Sequence, residues 1–146
     1  MDFARLLIVD DDVKFTRLLC SYLQRFGYAV DTAPSGEEGI SLATRANYDA
    51  VILDVMLPTM NGWDVLRELR RGSRVPILML TALADTIEQT AGWEMGATAC
   101  LPKTLAMPEL LEHLRKSIAE SGSHPGSPSD PKGANLTGLK IDPPVT

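Results

Sequence analysis

A chain of 146 residues with 45% hydrophobic and 23% charged residues has the composition of one globular domain with a real core. The net charge is −5, and residues 1–120 hold 17 acids and 12 bases without a basic stripe, which argues against tight nucleic-acid binding by this chain itself. No apolar run approaches the roughly 18 residues of a membrane span, and the N-terminus lacks signal-peptide features. Two cysteines, Cys20 and Cys100, cannot form a disulfide framework, so we expect a reduced, cytoplasmic protein without membrane partners.

Strand-like and helix-like hydrophobic patterns alternate along the first 120 residues. The five predicted strands are Arg5–Asp10, Tyr28–Thr32, Ala50–Asp54, Pro76–Leu80 and Ala99–Leu101. The predicted helices follow them over Val13–Phe26, over Gly36–Ala46, along Trp63, Leu66 and Leu69, over Asp85–Met95, and from Pro108 onward. Five β-α units in succession predict an α/β fold, a doubly wound parallel sheet with helices on both faces.

Acidic side chains lie at the carboxyl ends of two predicted strands. Asp54 ends the run Ala50–Asp54, and Asp10-Asp11-Asp12 end the first apolar run. Ligands of parallel sheets bind beyond the carboxyl ends of the strands. Five residues fall just after strands at this edge: Asp10, Asp11, Asp54, Thr81 and Lys103. Clustered carboxylates need a cation to offset their repulsion, and Mg²⁺, which prefers oxygen ligands, is the natural candidate.

The composition changes after about Glu120. Ser121–Pro131 is dominated by Ser, Gly and Pro, and five of the ten prolines lie beyond residue 122. We therefore expect a domain over residues 1–120 and a flexible linker over residues 121–135. Residues 136–146 resemble the beginning of another structured element.

Four short segments make the chain resemble the receiver domain of bacterial two-component response regulators over residues 5–120. They are Ile8-Val9-Asp10-Asp11-Asp12, Leu53-Asp54-Val55-Met56-Leu57-Pro58 with Asn61-Gly62, Leu80-Thr81-Ala82, and Leu101-Pro102-Lys103. Within that family the chain is most similar to the OmpR-type regulators, which join a receiver to a winged-helix DNA-binding domain. The resemblance implies a flavodoxin-like (CheY-like) sheet in the order 2-1-3-4-5.

The resemblance also implies that Asp54 is the phosphoacceptor, which takes a phosphoryl group from a histidine of a sensor histidine kinase or from acetyl phosphate. Mg²⁺ would be held by Asp11, Asp54 and the backbone carbonyl of Met56, with Asp10 acting largely through water. A receiver of this kind is not an enzyme toward other substrates, since it catalyses only its own phosphorylation and dephosphorylation.

Two further residues acquire roles from the resemblance. Lys103 would supply a second cation to the phosphoryl group, and Thr81 would donate its hydroxyl, beside the small Ala82.

Residues 136–146 would begin a truncated DNA-binding domain through which the full-length parent, with DNA as its partner, regulates transcription. Leu83 is predicted to shield the phosphoryl bond from water.

The chain departs from the family pattern beside the last strand. The family usually reads Asp-Asp-Tyr where this chain has Thr98-Ala99-Cys100, and Lys-Pro-Phe where it has Lys103-Thr104-Leu105. Three features of the family pattern are thus absent: the aromatic partner of Thr81, an acidic pair used in dimer contacts, and the proline after the lysine. We expect a homodimer through the last two β-α units to be weakened, and the switch to need other residues.

Simpler roles remain open for the same residues. Asp10–Asp12 also fits a turn or helix-cap cluster, Thr81 a helix cap and Lys103 a solvated lysine. Cys20 is expected to lie in the core, and Trp63 and Trp93 are expected to be packing residues and not platforms for a ligand.

Two other functions compete with the phosphoacceptor. A degenerate receiver could act as a protein-interaction module. An Mg²⁺-dependent phosphatase with an aspartate nucleophile usually has an acid two residues after the nucleophile, where this chain has Met56.

Overall fold

The computed structural model describes residues 4–82 and 96–121, and its five strands form one parallel sheet in the order β2-β1-β3-β4-β5. The strands are β1 (Arg5–Val9), β2 (Ala29–Ala33), β3 (Ala50–Asp54), β4 (Ile77–Thr81) and β5 (Ala99–Pro102). The helices of the described part are α1 (Val13–Gln24), α2 (Gly36–Arg45), α3 (Gly62–Arg70) and α4 (Met107–Ser121). The predicted α/β class, the doubly wound sheet and the order 2-1-3-4-5 are confirmed.

Helices cover both faces of the sheet. Leu6 and Ile8 of β1 pack with leucines of α1 and α4, whereas Leu7 and Val9 pack on the opposite face with apolar residues of α3. Alternate residues of a strand point to opposite faces, so a strand buried on both sides must be apolar throughout. This requirement explains why β1, β3 and β4 read as unbroken hydrophobic runs.

The ends of the elements differ from the sequence prediction by two residues or fewer. Helix α1 ends at Gln24 rather than Phe26, because the chain turns before Gly27, which has a φ of 91° that favours glycine. Helix α2 begins after Ser35, whose hydroxyl accepts a hydrogen bond from the backbone N–H of Glu38 at 3.2 Å, as a cap does. Trp63 packs against the α3 face of the core as expected, but Cys20 is only half-buried.

Several expectations from the sequence concern residues outside the described ranges. They are the helix Asp85–Met95 with Trp93, the shielding residue Leu83, and the segments 122–135 and 136–146. Ser121, the first residue of the predicted linker, is the last residue of α4. Within residues 4–82 and 96–121, no helix has the length and apolar content needed to cross a membrane.

Candidate functional site at the carboxyl edge of the sheet

The sheet brings the predicted site residues to one edge. Asp10 directly follows β1, Asp54 ends β3, Thr81 ends β4 and Lys103 directly follows β5. The side chains of Asp10, Asp54 and Thr81 are buried, whereas Asp11 lies at the surface. Because all strands run in the same direction, their carboxyl ends meet here, as the sequence analysis predicted.

Three carboxylates converge at this edge. Oxygen atoms of Asp10, Asp11 and Asp54 all lie within 4.8 Å of one another. Asp10 and Asp54 are only 5% and 4% exposed, so water screens their repulsion poorly. A set of carboxylate oxygens without sulfur or imidazole suits a hard divalent cation such as Mg²⁺. The donor chemistry therefore fits the metal that the sequence suggested.

Lys103 lies against two of these carboxylates. Its Nζ is 2.8 Å from Asp10 Oδ2 and 3.3 Å from Asp54 Oδ2. Its backbone N–H donates to the carbonyl of Thr81 at 2.8 Å, which ties the residue to the end of β4. Burial alone would lower the pKa of the Lys103 ammonium, but the hydrogen bonds and charges of Asp10 and Asp54 outweigh burial and raise that pKa. Lys103 is thus charged and is not a solvated lysine.

Asp54 has the environment of a basic carboxylate. Burial, and then the negative charge of Asp10, raise the pKa of Asp54 to about 6. The backbone N–H of Met56, 3.2 Å from Asp54 Oδ1, and the ammonium of Lys103 oppose this shift. A carboxylate with a raised pKa is ionised at neutral pH yet is a stronger nucleophile than an ordinary aspartate.

The loop after β3 is packed tightly against the end of that strand. The N–H of Gly62 donates to the carbonyl of Val55 at 2.8 Å, so α3 begins directly beside the strand. A Cβ at Gly62 would overlap the carbonyl oxygen of Asp54 and would lie 2.7 Å from Val55 Cα. Only glycine fits at this position, which explains the Asn61-Gly62 sequence.

The acidic segment after β1 also caps α1. Asp10 Oδ1 accepts a hydrogen bond from the N–H of Asp12 at 2.9 Å, and the Asp12 side chain accepts one from the N–H of Phe15 at 3.0 Å. The cap alternative is therefore correct for Asp12. Asp10 contacts both the capping segment and the lysine, because its Oδ1 accepts from the N–H of Asp12 and its Oδ2 is ion-paired with Lys103.

One neighbour of the site could not be predicted from the sequence. The ring of Phe15 lies under the ammonium of Lys103, with 4.8 Å between Nζ and the ring centroid. Phe15 falls within the predicted helix Val13–Phe26, and its ring packs against the core that α1 shares with the sheet. No local signal could reveal the contact, since it joins α1 to the residue that follows β5.

The residues that depart from the family pattern have structural contacts. The hydroxyl of Thr98 accepts a hydrogen bond from the N–H of Ile77 at 3.0 Å, and the N–H of Thr98 donates to the carbonyl of Ile77 at 2.8 Å. Ala99 and Cys100 are buried in the core on opposite faces of the sheet. The Thr98 side chain thus stabilises the start of β4, and the side chains of Ala99 and Cys100 contribute to the interior.

Residues 6–115 match the family model described as "Response regulator receiver domain". Among curated proteins, the chain is 44% identical over 112 residues to the transcriptional regulatory protein CusR of Escherichia coli, which covers 76% of this chain and 49% of that protein. It is 36% identical over 138 residues to a CpxR homolog of Haemophilus influenzae, a transcriptional regulatory protein, covering 94% of this chain and 60% of the relative. The chain therefore spans about half to three fifths of these relatives.

Solved structures agree with this result. The BeF₃-activated N-terminal receiver domain of Klebsiella pneumoniae RstA is 32% identical, with a TM-score of 0.76 over 78% of this chain and 97% of that one. Vibrio cholerae CheY4 is 34% identical, with a TM-score of 0.75 over 80% of this chain and 99% of that one.

Proposed function

This chain belongs to the response regulator receiver domain family, and we propose on that basis that Asp54 accepts a phosphoryl group. The donor is a phosphohistidine of a sensor histidine kinase, or a small acyl phosphate such as acetyl phosphate. The observation that carries the proposal is the pairing of a buried, basic carboxylate with a half-buried ammonium, Asp54 with Lys103 at 3.3 Å.

The residues of the site supply what phosphoryl transfer requires. Asp54 attacks phosphorus through a carboxylate oxygen, a new P–O bond forms, and the bond to the donor breaks with its electron pair leaving on the donor. Lys103 offsets negative charge on the transferred oxygens, and Thr81 donates its hydroxyl to one of them. Because the chemistry itself is simple, the rate depends on positioning and charge neutralisation.

Mg²⁺ would be held by Asp11, Asp54 and the backbone carbonyl of Met56, with Asp10 acting largely through water. Three carboxylates against one ammonium leave two uncompensated negative charges, which a divalent cation matches. When bound, the metal would neutralise charge on the phosphoryl oxygens. In this proposal the domain catalyses only its own phosphorylation and dephosphorylation.

The parent protein is proposed to regulate transcription and to lie in the cytoplasm. Two of the relatives carry the name transcriptional regulatory protein and are longer than this chain. We infer that a winged-helix domain follows the receiver in the parent protein and that the parent, rather than this chain, binds DNA. A homodimer through the last two β-α units would be weak, since Thr98 is engaged with the backbone and Ala99 and Cys100 are buried.

The alternatives gain less support. A degenerate interaction module would not need a half-buried lysine between two buried acids, an arrangement that costs desolvation energy. A phosphatase with an aspartate nucleophile usually has an acid two residues after Asp54 to protonate the leaving group, and the residue there, Met56, has an exposed apolar side chain.

The test is a phosphate-affinity gel of the whole chain after incubation with acetyl phosphate, with Mg²⁺ or with EDTA. We expect one retarded band with Mg²⁺ that is absent in Asp54→Asn. The matched control is Asp64→Asn, an exposed aspartate on α3, which should give the same band as the unmodified sequence. No retarded band with Mg²⁺ would refute the phosphoacceptor proposal, and continuous phosphate release without a band would favour the phosphatase.

A further inference from the structure

Lys103 has a third neighbour besides its two carboxylates. Its Nζ lies 2.8 Å from Asp10 Oδ2, 3.3 Å from Asp54 Oδ2 and 4.8 Å from the centroid of the Phe15 ring. An ammonium group has three N–H donors on a flexible stem of four carbons. The face of an aromatic ring carries partial negative charge and attracts a cation within about 6 Å. The ring therefore occupies a side of the ammonium that the carboxylates leave open.

Phe15 is held in place by the same acidic segment that binds the lysine. Its backbone N–H donates to the side chain of Asp12 at 3.0 Å, and the N–H of Asp12 donates to Asp10 Oδ1 at 2.9 Å. The ring is half-buried against the core that α1 shares with the sheet. A closed circuit of contacts thus runs from Lys103 through Asp10, Asp12 and Phe15 back to Lys103.

The backbone around Lys103 does not by itself fix the orientation of the lysine side chain. The N–H of Lys103 is bound to the carbonyl of Thr81, which orients the main chain. The next residue is Thr104, which does not restrict the backbone as a proline does. The long side chain must then be oriented by what it touches.

We propose that Phe15 is a positioning residue for Lys103, whose ring holds the ammonium beside Asp54. This inference rests on the proposed function, because it assigns Phe15 a part in the same phosphoryl transfer. The ring acts through its charge distribution: it favours lysine conformers that reach both carboxylates and excludes water from one side. Phe15 itself does not touch the transferred group and is not a catalytic residue.

The experiment varies the charge on the ring face at nearly constant shape. Phenylalanine at position 15 is replaced site-specifically by its 4-fluoro, 3,5-difluoro and 3,4,5-trifluoro analogues, which weaken cation binding step by step. The initial rate of labelling by acetyl phosphate with Mg²⁺ should fall stepwise, by about three- to tenfold at the trifluoro analogue. A rate that stays flat or rises along the series overturns the proposal.

A second readout requires no phosphorylation. The ε-methylene protons of Lys103 in the unmodified protein should resonate upfield, because the adjacent Nζ lies over the ring, and this shift should shrink along the same series. Lys103→Gln identifies the signal. An ordinary chemical shift in the unmodified protein would overturn the inference.

Phe26 provides the matched control. It lies just beyond the C-terminal end of α1 under a different cation, with Arg115 Cζ 5.7 Å from its ring centroid. The same fluorinated series at Phe26 should leave both the labelling rate and the Lys103 shift unchanged, and equal effects at both positions would overturn the proposal. If the unmodified chain takes no label, the proposed function fails, while the Lys103 shift still decides whether Phe15 positions the lysine.

Discussion

Lys103 Nζ lies 3.3 Å from Asp54 Oδ2, although 49 positions separate the two residues in the chain. One residue follows β5 and the other ends β3, with β4 between these strands. The ammonium thus neutralises part of the charge that a metal would neutralise. The balance between burial, repulsion and this ion pair sets the pKa of Asp54 and the charge that a metal would meet.

Asp54→Asn is expected to stabilise the domain at pH 7.5 in buffer free of divalent cations. The pKa of Asp54 is raised from 3.8 to about 6 in the folded protein, mainly by burial and then by Asp10. The stability that the Asp54 carboxyl contributes in its protonated form is therefore fully present below about pH 4, and it is lost as the pH rises through about 6. A shift of this size corresponds to roughly 3 kcal/mol, and we expect a gain of about 1–3 kcal/mol.

Urea unfolding at several pH values between 4.5 and 7.5 measures this difference. The advantage of Asp54→Asn should shrink as the pH falls through 6, because the wild-type carboxyl then becomes neutral as well. Asp64→Asn, in the first turn of α3 where the side chain is 44% exposed, should not show this dependence. A wild-type protein that is more stable than Asp54→Asn at pH 7.5 would contradict the raised pKa of Asp54.

Lys103→Gln is expected to strengthen the binding of Mg²⁺ and to slow phosphoryl transfer. Without the ammonium beside Asp10 and Asp54, the carboxylates keep their full charge, so Mg²⁺ should bind about three- to tenfold more tightly. Labelling by acetyl phosphate should slow by about tenfold or more, because the transferred oxygens lose a cation.

Calorimetric titration with Mg²⁺ and the initial labelling rate measure the two effects. Lys116→Gln, at an exposed position of α4, is the control and should change neither. Weaker Mg²⁺ binding in Lys103→Gln would show that the lysine does not compete with the metal.

Gly62→Ala is expected to destabilise the domain by roughly 2–4 kcal/mol and to impair labelling. Its Cβ would overlap the carbonyl of Asp54, so the strand end and the loop bearing Met56 would have to move. Gly72→Ala is the matched control, because a Cβ there meets nothing within 4 Å. Thermal unfolding of both variants decides the matter, and equal stabilities would contradict the tight packing at Gly62.

Thr98→Val is expected to cost about 1–3 kcal/mol, whereas Thr98→Ser should cost less. Valine keeps the shape of threonine but cannot accept the hydrogen bond that the N–H of Ile77 donates to the hydroxyl at 3.0 Å. Chemical denaturation of the two variants compares the loss of the acceptor with the loss of a methyl group. A larger loss in Thr98→Ser would mean that packing dominates at this position.

Much of the fold could be predicted from the sequence, because its causes are local. Unbroken apolar runs define β1, β3 and β4, and the capping residue Ser35 marks the start of α2. The parallel topology then follows from the alternation of strands and helices. The predicted strand ends also put four residues at one edge, where the structure has them: Asp10, Asp54, Thr81 and Lys103.

What the sequence by itself determined is which chemical groups reach the carboxyl edge, since strand ends are set by hydrophobic pattern and short-range contacts. Only the tertiary structure decided how those groups meet: the raised pKa of Asp54, the ion pairs of Lys103 and the ring of Phe15 beneath it. These relationships depend on distances of a few ångströms between separate elements and on the exclusion of water around them. Periodicity along a chain contains no information about either quantity.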